Sequence, residues 1–317
     1  MQKKIENTIL LVILVVFLLY FLLNYNLPQA IKDLEKINLR YIPYIILAWV
    51  LFTALKFLPW ELTLKKVKVK MPLIKSFLFM YAFFGLGMGS AGVGQLIPLR
   101  KLDKFKKDAR FFSVSIMVFL GTTGGMGAIL LALISSVLLS KFILYLLFIF
   151  ALGYIFITIL GFESPYKKLV SLINSRKRIR ASKTIKKGLK YIEGMRKQRG
   201  LMAQRYFISG MILFIPSLIA EALLLVFILS AFNVNISLLS GIFIFTVSVT
   251  IGGISMLPAG IGTEDISLVA LMILFNVPGV LALASLIIFR LFNTFLVTVV
   301  GYLTIGVINL DKNVKKI

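Results

Sequence analysis

The sequence predicts an all-α, polytopic transmembrane helical bundle, and three observations carry that reading. Hydrophobic residues make up 59% of the 317 and charged residues only 15%, against about 25% charged in an ordinary soluble domain. The apolar residues gather into runs of about 20, the length that crosses roughly 30 Å of hydrocarbon at about 1.5 Å per residue. Of the formal charge of +24, a net +21 sits in two stretches, 65–110 and 162–206. An excess of Lys and Arg marks loops that stay inside, so both stretches are expected on the cytoplasmic face. That placement assigns the charge to topology rather than to nucleic acid.

Taken in order, six runs read as full spans: 5–26, 41–60, 113–139, 142–161, 207–231 and 281–308. The first follows Lys3 and Lys4 but is not followed by a small-x-small cleavage site, so it reads as a span rather than a removable signal. Lys3 and Lys4 at one end and Lys312, Lys315 and Lys316 at the other place both termini in the cytoplasm of a multi-pass cell-membrane protein. The whole chain, 1–317, reads as one membrane domain with a basic cytoplasmic loop at 162–206. Within that loop Ile185, Leu189, Ile192 and Met195 form an apolar stripe on a helix over 166–200 that would lie along the membrane surface.

Two apolar stretches are not simple spans. Residues 77–97 lie between basic clusters that both belong inside, and Gly85, Gly87, Gly89, Gly92 and Gly94 crowd a short part of them. Glycine at that density disfavours an uninterrupted helix, and a re-entrant hairpin satisfies both facts. Residues 237–276 must leave from and return to the outer face, and Gly252, Gly253, Pro258, Gly260 and Gly262 break them in the middle. Two full spans and a second re-entrant hairpin both fit that stretch. The breaks align: Pro98-Leu99-Arg100-Lys101-Leu102-Asp103 in the first and Pro258-Ala259-Gly260-Ile261-Gly262-Thr263-Glu264-Asp265 in the second. They enter from opposite faces, as in an inverted repeat with halves 1–140 and 141–317, an architecture that places substrate sites at broken helices.

Charges within the hydrocarbon are the candidate site. A carboxylate such as Glu221 costs about 2.5–3.5 kcal/mol at a helix centre unless it is paired, protonated or hydrated. Arg290 stays protonated and needs a carboxylate, a phosphate or a watery cavity. Glu264 and Asp265 stand where a helix begins, where carboxylates are favoured and Thr263 is a candidate cap. The bland reading is that Glu264 caps a helix and that Glu221 and Arg290 form a stabilising pair. The functional reading is an interior polar site in which Arg290 meets a phosphate. Lys56 reads as a snorkelling residue near the inner end of its span, and Gly121, Thr122, Thr123, Gly124, Gly125 and Gly127 as a helix-packing face.

These motifs, in this order, resemble the transmembrane region of lysylphosphatidylglycerol synthases. Pro98, Arg100 and Asp103 match the first motif of that family, with Leu102 in place of a glycine and Asp103 in place of a longer acid. Pro258, Gly260, Gly262 and Glu264 match the second, and Arg290 matches an arginine in the last span. The resemblance implies lipid flipping, with Pro98, Arg100, Asp103, Pro258, Gly260, Gly262, Glu264 and Arg290 as substrate-binding positions, to which the intramembrane charge of Glu221 is added. It implies membrane lipids as partners, anionic or polyprenyl-phosphate, with a protein partner as a further option.

With no Cys and no His, thiolate, imidazole and Cys/His metal chemistry are excluded, and no cofactor, metal or enzymatic activity is expected. Against the translocator stand an ion or small-solute transporter, a lipid-linked glycosyltransferase working through Glu264-Asp265, and a scaffold for a synthase.

Overall fold

A computed structural model describes residues 37–88, 93–102, 109–139, 171, 204–255 and 262–310. The expected spans 5–26 and 142–161 and the surface helix within 166–200 lie outside the described residues. Everything described is helix or short connection. After a 3₁₀ turn, Leu39–Tyr41, come α1 (Ile42–Leu55), α2 (Phe57–Lys66) and α3 (Leu73–Met88). A second 3₁₀ turn, Val93–Gln95, leads into α4 (Leu96–Leu102), followed by α5 (Ala109–Leu138), α6 (Gln204–Ala231), α7 (Leu238–Ser255) and α8 (Thr263–Leu274). The last long run is α9 (Gly279–Arg290), a π-helical stretch Leu291–Leu296, and α10 (Val297–Leu310).

Four helical stretches are long and apolar enough to cross a membrane: Leu39–Lys66, Phe119–Leu138, Arg205–Ala231 and Gly279–Ile308. The protein is a polytopic helical membrane protein. Large hydrophobic side chains are exposed along these helices, among them Leu47, Val50, Ile74, Val137, Ile212, Ile266 and Leu303. Only a hydrocarbon environment makes such a surface stable.

The two interrupted segments are helix–break–helix elements. Helix α8 begins at Thr263, just after its cap Gly262, and runs for 12 residues, a rise of about 18 Å that falls well short of roughly 30 Å of hydrocarbon. By length α8 alone is too short to cross, and it packs back against α7 as a helical hairpin. They pack against each other so closely that a Cβ on Gly252 would lie 2.8 Å from the Cβ of Glu264. In the first element, α3 packs against the returning 3₁₀ turn and α4. It also crosses α10, where a Cβ on Gly85 would lie 2.8 Å from the Cα of Gly301. Backbones that close admit only glycine.

Two hydrophobic clusters divide the interior. One gathers Phe52, Leu225, Phe243, Met272 and Phe289 near the ends marked by Asn38 and Phe232. There the Asn38 N–H donates to the Ala231 carbonyl at 2.8 Å, so α1 begins where α6 ends. The other gathers Trp60, Leu64, Phe79, Leu102 and Ile308 beside the basic segment 65–75. On that side Lys66 sits 3.6 Å above the Tyr206 ring, and Trp60 Nε1 donates to Ser76 Oγ at 3.1 Å while Ser76 donates to Glu61. The polar site lies between these clusters.

Candidate functional site: a polar cavity between two broken hairpins

Four elements bring charge to one depth. Counting from the ends marked by Asn38 and Ala231, Glu221 lies ten residues inside α6, about 15 Å. Glu264 lies ten residues inside α8, also about 15 Å, and Arg290 eleven inside α9, about 17 Å. Lys56 follows the 14 residues of α1, about 21 Å. Half of a bilayer's hydrocarbon is about 15 Å, so these groups meet near the midplane.

Lys56 departs from its expected role. The helical run continues past it to Lys66 within one span, so it is nowhere near an interface it could reach by snorkelling. Pro59 has no N–H for the Leu55 carbonyl, and the helix breaks at Lys56, between α1 and α2. The residue is buried and its side chain turns inward, over the rings of Phe52 and Phe84 at 4.7 and 5.7 Å. Its ammonium is 3.5 Å from Glu221 Oε2.

Arg290 is held by the α7–α8 hairpin. Its Nε donates to Asp265 Oδ1 at 2.6 Å, Nη2 lies 3.4 Å from Glu264 Oε1, and Nη1 donates to Thr294 Oγ1 at 3.3 Å. The second Asp265 oxygen accepts the Gly262 N–H at 2.9 Å. Gly262 occupies the position before the helix with φ +89°, a conformation that favours glycine. The cap is thus Gly262 with Asp265, and Thr263 is the first helical residue rather than the capping one. The expected pairing of Glu221 with Arg290 is likewise replaced: Glu221 bonds Lys56 and feels Arg290 only as a neighbouring charge. Pairing follows the hairpin, because α8 puts two carboxylates nearer to Arg290 than α6 can.

The π-helical stretch after Arg290 turns Asn293 and Thr294 into the same space. A π turn leaves carbonyls without their usual donors, and Trp49 Nε1 takes the one at Phe292, at 2.9 Å. Asn293 is 5% exposed and neighbours Glu221, while its Oδ1 has no hydrogen-bond donor among the described residues.

These side chains line a cavity of about 270 Å³. Its polar lining is Lys56, Gln95, Ser217, Glu221, Glu264, Arg290, Asn293 and Thr294, and its apolar walls include Phe83, Phe84, Phe214 and Phe245. Gln95 comes from the first broken element and Glu264 from the second, so both breaks reach one cavity. Gly121 opens its wall, with nothing within 4 Å of where its Cβ would lie, whereas Gly124 and Gly127 of the small-residue face pack on Phe214 and Leu218 and Thr123 faces Gly210.

A model of the lysylphosphatidylglycerol synthase TM region family matches residues 8–301. The chain belongs to that family. A UPF0104 membrane protein of Methanothermobacter thermautotrophicus is 35% identical over 98 residues, covering 30% of this chain and 29% of that protein. The chain therefore spans less than a third of the length of this relative in the match.

Within this lysylphosphatidylglycerol synthase TM region chain, Glu221, Glu264 and Arg290 come together at the cavity, and Gly262 sets the hairpin turn that presents Asp265. Pro98 is buried inside α4 and does not line the cavity, where Gln95 stands instead. Asp103, Pro258 and Gly260 lie outside the described residues, as does the side chain of Arg100. Sequence reasoning missed Lys56, Asn293 and Thr294. The last two did carry a signal: polar residues three and four positions after Arg290 share its helix face.

Proposed function

We propose that this protein is a lipid translocator of the cell membrane, passing a phosphate-bearing headgroup between leaflets through the cavity, with its basic loops and both termini in the cytoplasm. The observation that carries the reading is the mid-depth guanidinium of Arg290 in a cavity reached by both broken hairpins. Arginine is the side chain suited to phosphate, whose oxygens it meets bidentately. Asp265 grips Nε firmly at 2.6 Å, whereas Glu264 approaches Nη2 only to 3.4 Å. A phosphate can replace Glu264 at that edge while Asp265 keeps the guanidinium oriented. Phe83, Phe84 and Phe214 in the wall suit the acyl part that follows a headgroup.

The test is movement of fluorescent phospholipids and polyprenyl phosphates in liposomes containing the protein. The translocator predicts faster transbilayer movement with the native chain than with an Arg290→Ala, Glu264→Ala double variant. Equal rates would remove the reading and leave the ion or solute transporter, which the buried ion pairs would also serve. Cation-dependent uptake independent of lipid headgroup would identify that alternative.

A further inference from the structure

Among the described side chains, the cluster at the cavity holds three carboxylates, Glu221, Glu264 and Asp265, and two cations, Lys56 and Arg290. Fully ionised, it carries one negative charge too many for a buried site that is to receive a second anion. The three acids are not equivalent. Asp265 accepts from Arg290 Nε on one oxygen and from the Gly262 N–H on the other, so both of its oxygens are engaged. Glu221 faces the Lys56 ammonium at 3.5 Å. Glu264 has only the distant edge of a guanidinium that Asp265 already shares. The groups facing it are Asp265 on its own helix, Arg290 on α9 and Glu221 on α6, with Lys56 behind Glu221. The other helix packed on it, α7, contributes no ionisable side chain, only Gly252 in close approach.

The same cavity also holds, beside Glu221, an acceptor that lacks a donor among the described residues. The Oδ1 of Asn293 is a buried acceptor without a donor among the described residues, in the wall of the same cavity. A buried acceptor of this kind calls for a hydrogen donor. Among the described residues the three carboxylates are not arranged as one metal-ligating group. The carboxylates are instead occupied by nitrogen cations.

We propose that Glu264 takes up one proton as a headgroup phosphate engages Arg290, so that lipid and proton enter the cavity together. The inference rests on the translocator reading and adds its coupling ion. Phosphate displaces the Glu264 carboxylate from Arg290 Nη2, the freed carboxylate binds a proton from the aqueous side, and the charge of the cluster rises by one as that of the ligand falls into it. On departure of the phosphate the proton leaves and Glu264 returns to Arg290. A pH gradient would then bias the direction of lipid movement.

The test uses the full chain in nanodiscs and dihexanoyl phosphatidylmethanol, an anionic phosphodiester with no other ionisable group. Calorimetric titration in buffers of different ionisation enthalpy counts protons taken up per ligand bound, with infrared spectroscopy reporting the carbonyl stretch of a protonated carboxylic acid. The expected result is one proton per ligand, affinity rising about tenfold for each unit fall in pH around neutrality, and a ligand-induced carboxylic acid band that Glu264→Gln abolishes. Binding without proton uptake overturns this inference and leaves the translocator standing. A band that survives Glu264→Gln and vanishes in Glu221→Gln overturns the assignment to Glu264, and sodium-dependent binding without proton uptake overturns the proton. Absence of binding at every pH overturns both readings. The proton count on the native chain decides the matter even if Glu264→Gln fails to fold.

Discussion

The buried pair of Lys56 and Glu221 offers a quantitative prediction. The charged atoms are 3.5 Å apart, with side chains 10% and 6% exposed. At an effective dielectric constant of about 20, their attraction is about 5 kcal/mol. That figure is offset by the cost of removing both ions from water, so the pair as a whole adds little, whereas one ion left alone is costly. Lys56→Met keeps the length of the side chain and strands Glu221, and is expected to destabilise the fold by about 3–5 kcal/mol. Glu221→Gln strands Lys56 beside Phe52 and Phe84, whose ring faces soften the loss to about 2–3 kcal/mol. The double variant replaces both ions at similar volume and should return to within about 1 kcal/mol of the native protein. Reversible unfolding in mixed detergent micelles measures all four proteins. Trp49 and Trp60, one on each side of Lys56, report the transition by fluorescence. A coupling energy of several kcal/mol is expected. Additive losses to within about 0.5 kcal/mol, as for independent sites, would refute the pairing.

Four further substitutions probe the frame around the site by the same unfolding measurement. Gly85→Ala puts a methyl against the backbone of α10 and should cost about 1–3 kcal/mol, while Gly306→Ala, whose Cβ would meet nothing within 4 Å, should be neutral or slightly stabilising. Trp49→Phe deprives the Phe292 carbonyl of its donor in the π-helical stretch, an expected loss of about 1–3 kcal/mol. Gly262→Ala forces a Cβ onto a backbone at φ +89°, with an expected cost of about 1–3 kcal/mol. It should also weaken phosphodiester binding, since the Gly262 N–H helps fix Asp265 against Arg290.

Much of the architecture was legible because lipid imposes it. Composition, run length and the placement of Lys and Arg gave the helical membrane class, and four of the expected spans recur as long apolar helices. Glycine and proline density located both breaks. Individual pairings were less legible, because they depend on depth and rotation that spacing alone leaves open. Lys56 looked interfacial because its span was ended at 60; the break caused by Pro59 sits in the middle of a longer run, and that moves the ammonium to the midplane. Glu221 and Arg290 looked like partners because each was the charge in its own span, yet the short α8 brings Glu264 and Asp265 nearer. The π turn over Leu291–Leu296 has no propensity signature in its residues.

The central claim is that a polar cavity open to water sits near mid-depth between the two hairpins. The chain contains no cysteine, so a single introduced thiol reports on one place. Gly121 is exposed, lines the cavity and has room for a side chain, and Gly306 on α10 also has room but does not line it. In liposomes, Gly121→Cys is predicted to react with a charged, water-soluble thiol reagent, to be protected by short-chain phosphodiester lipid, and to react far faster than Gly306→Cys. Equal and negligible labelling of both positions would contradict the account.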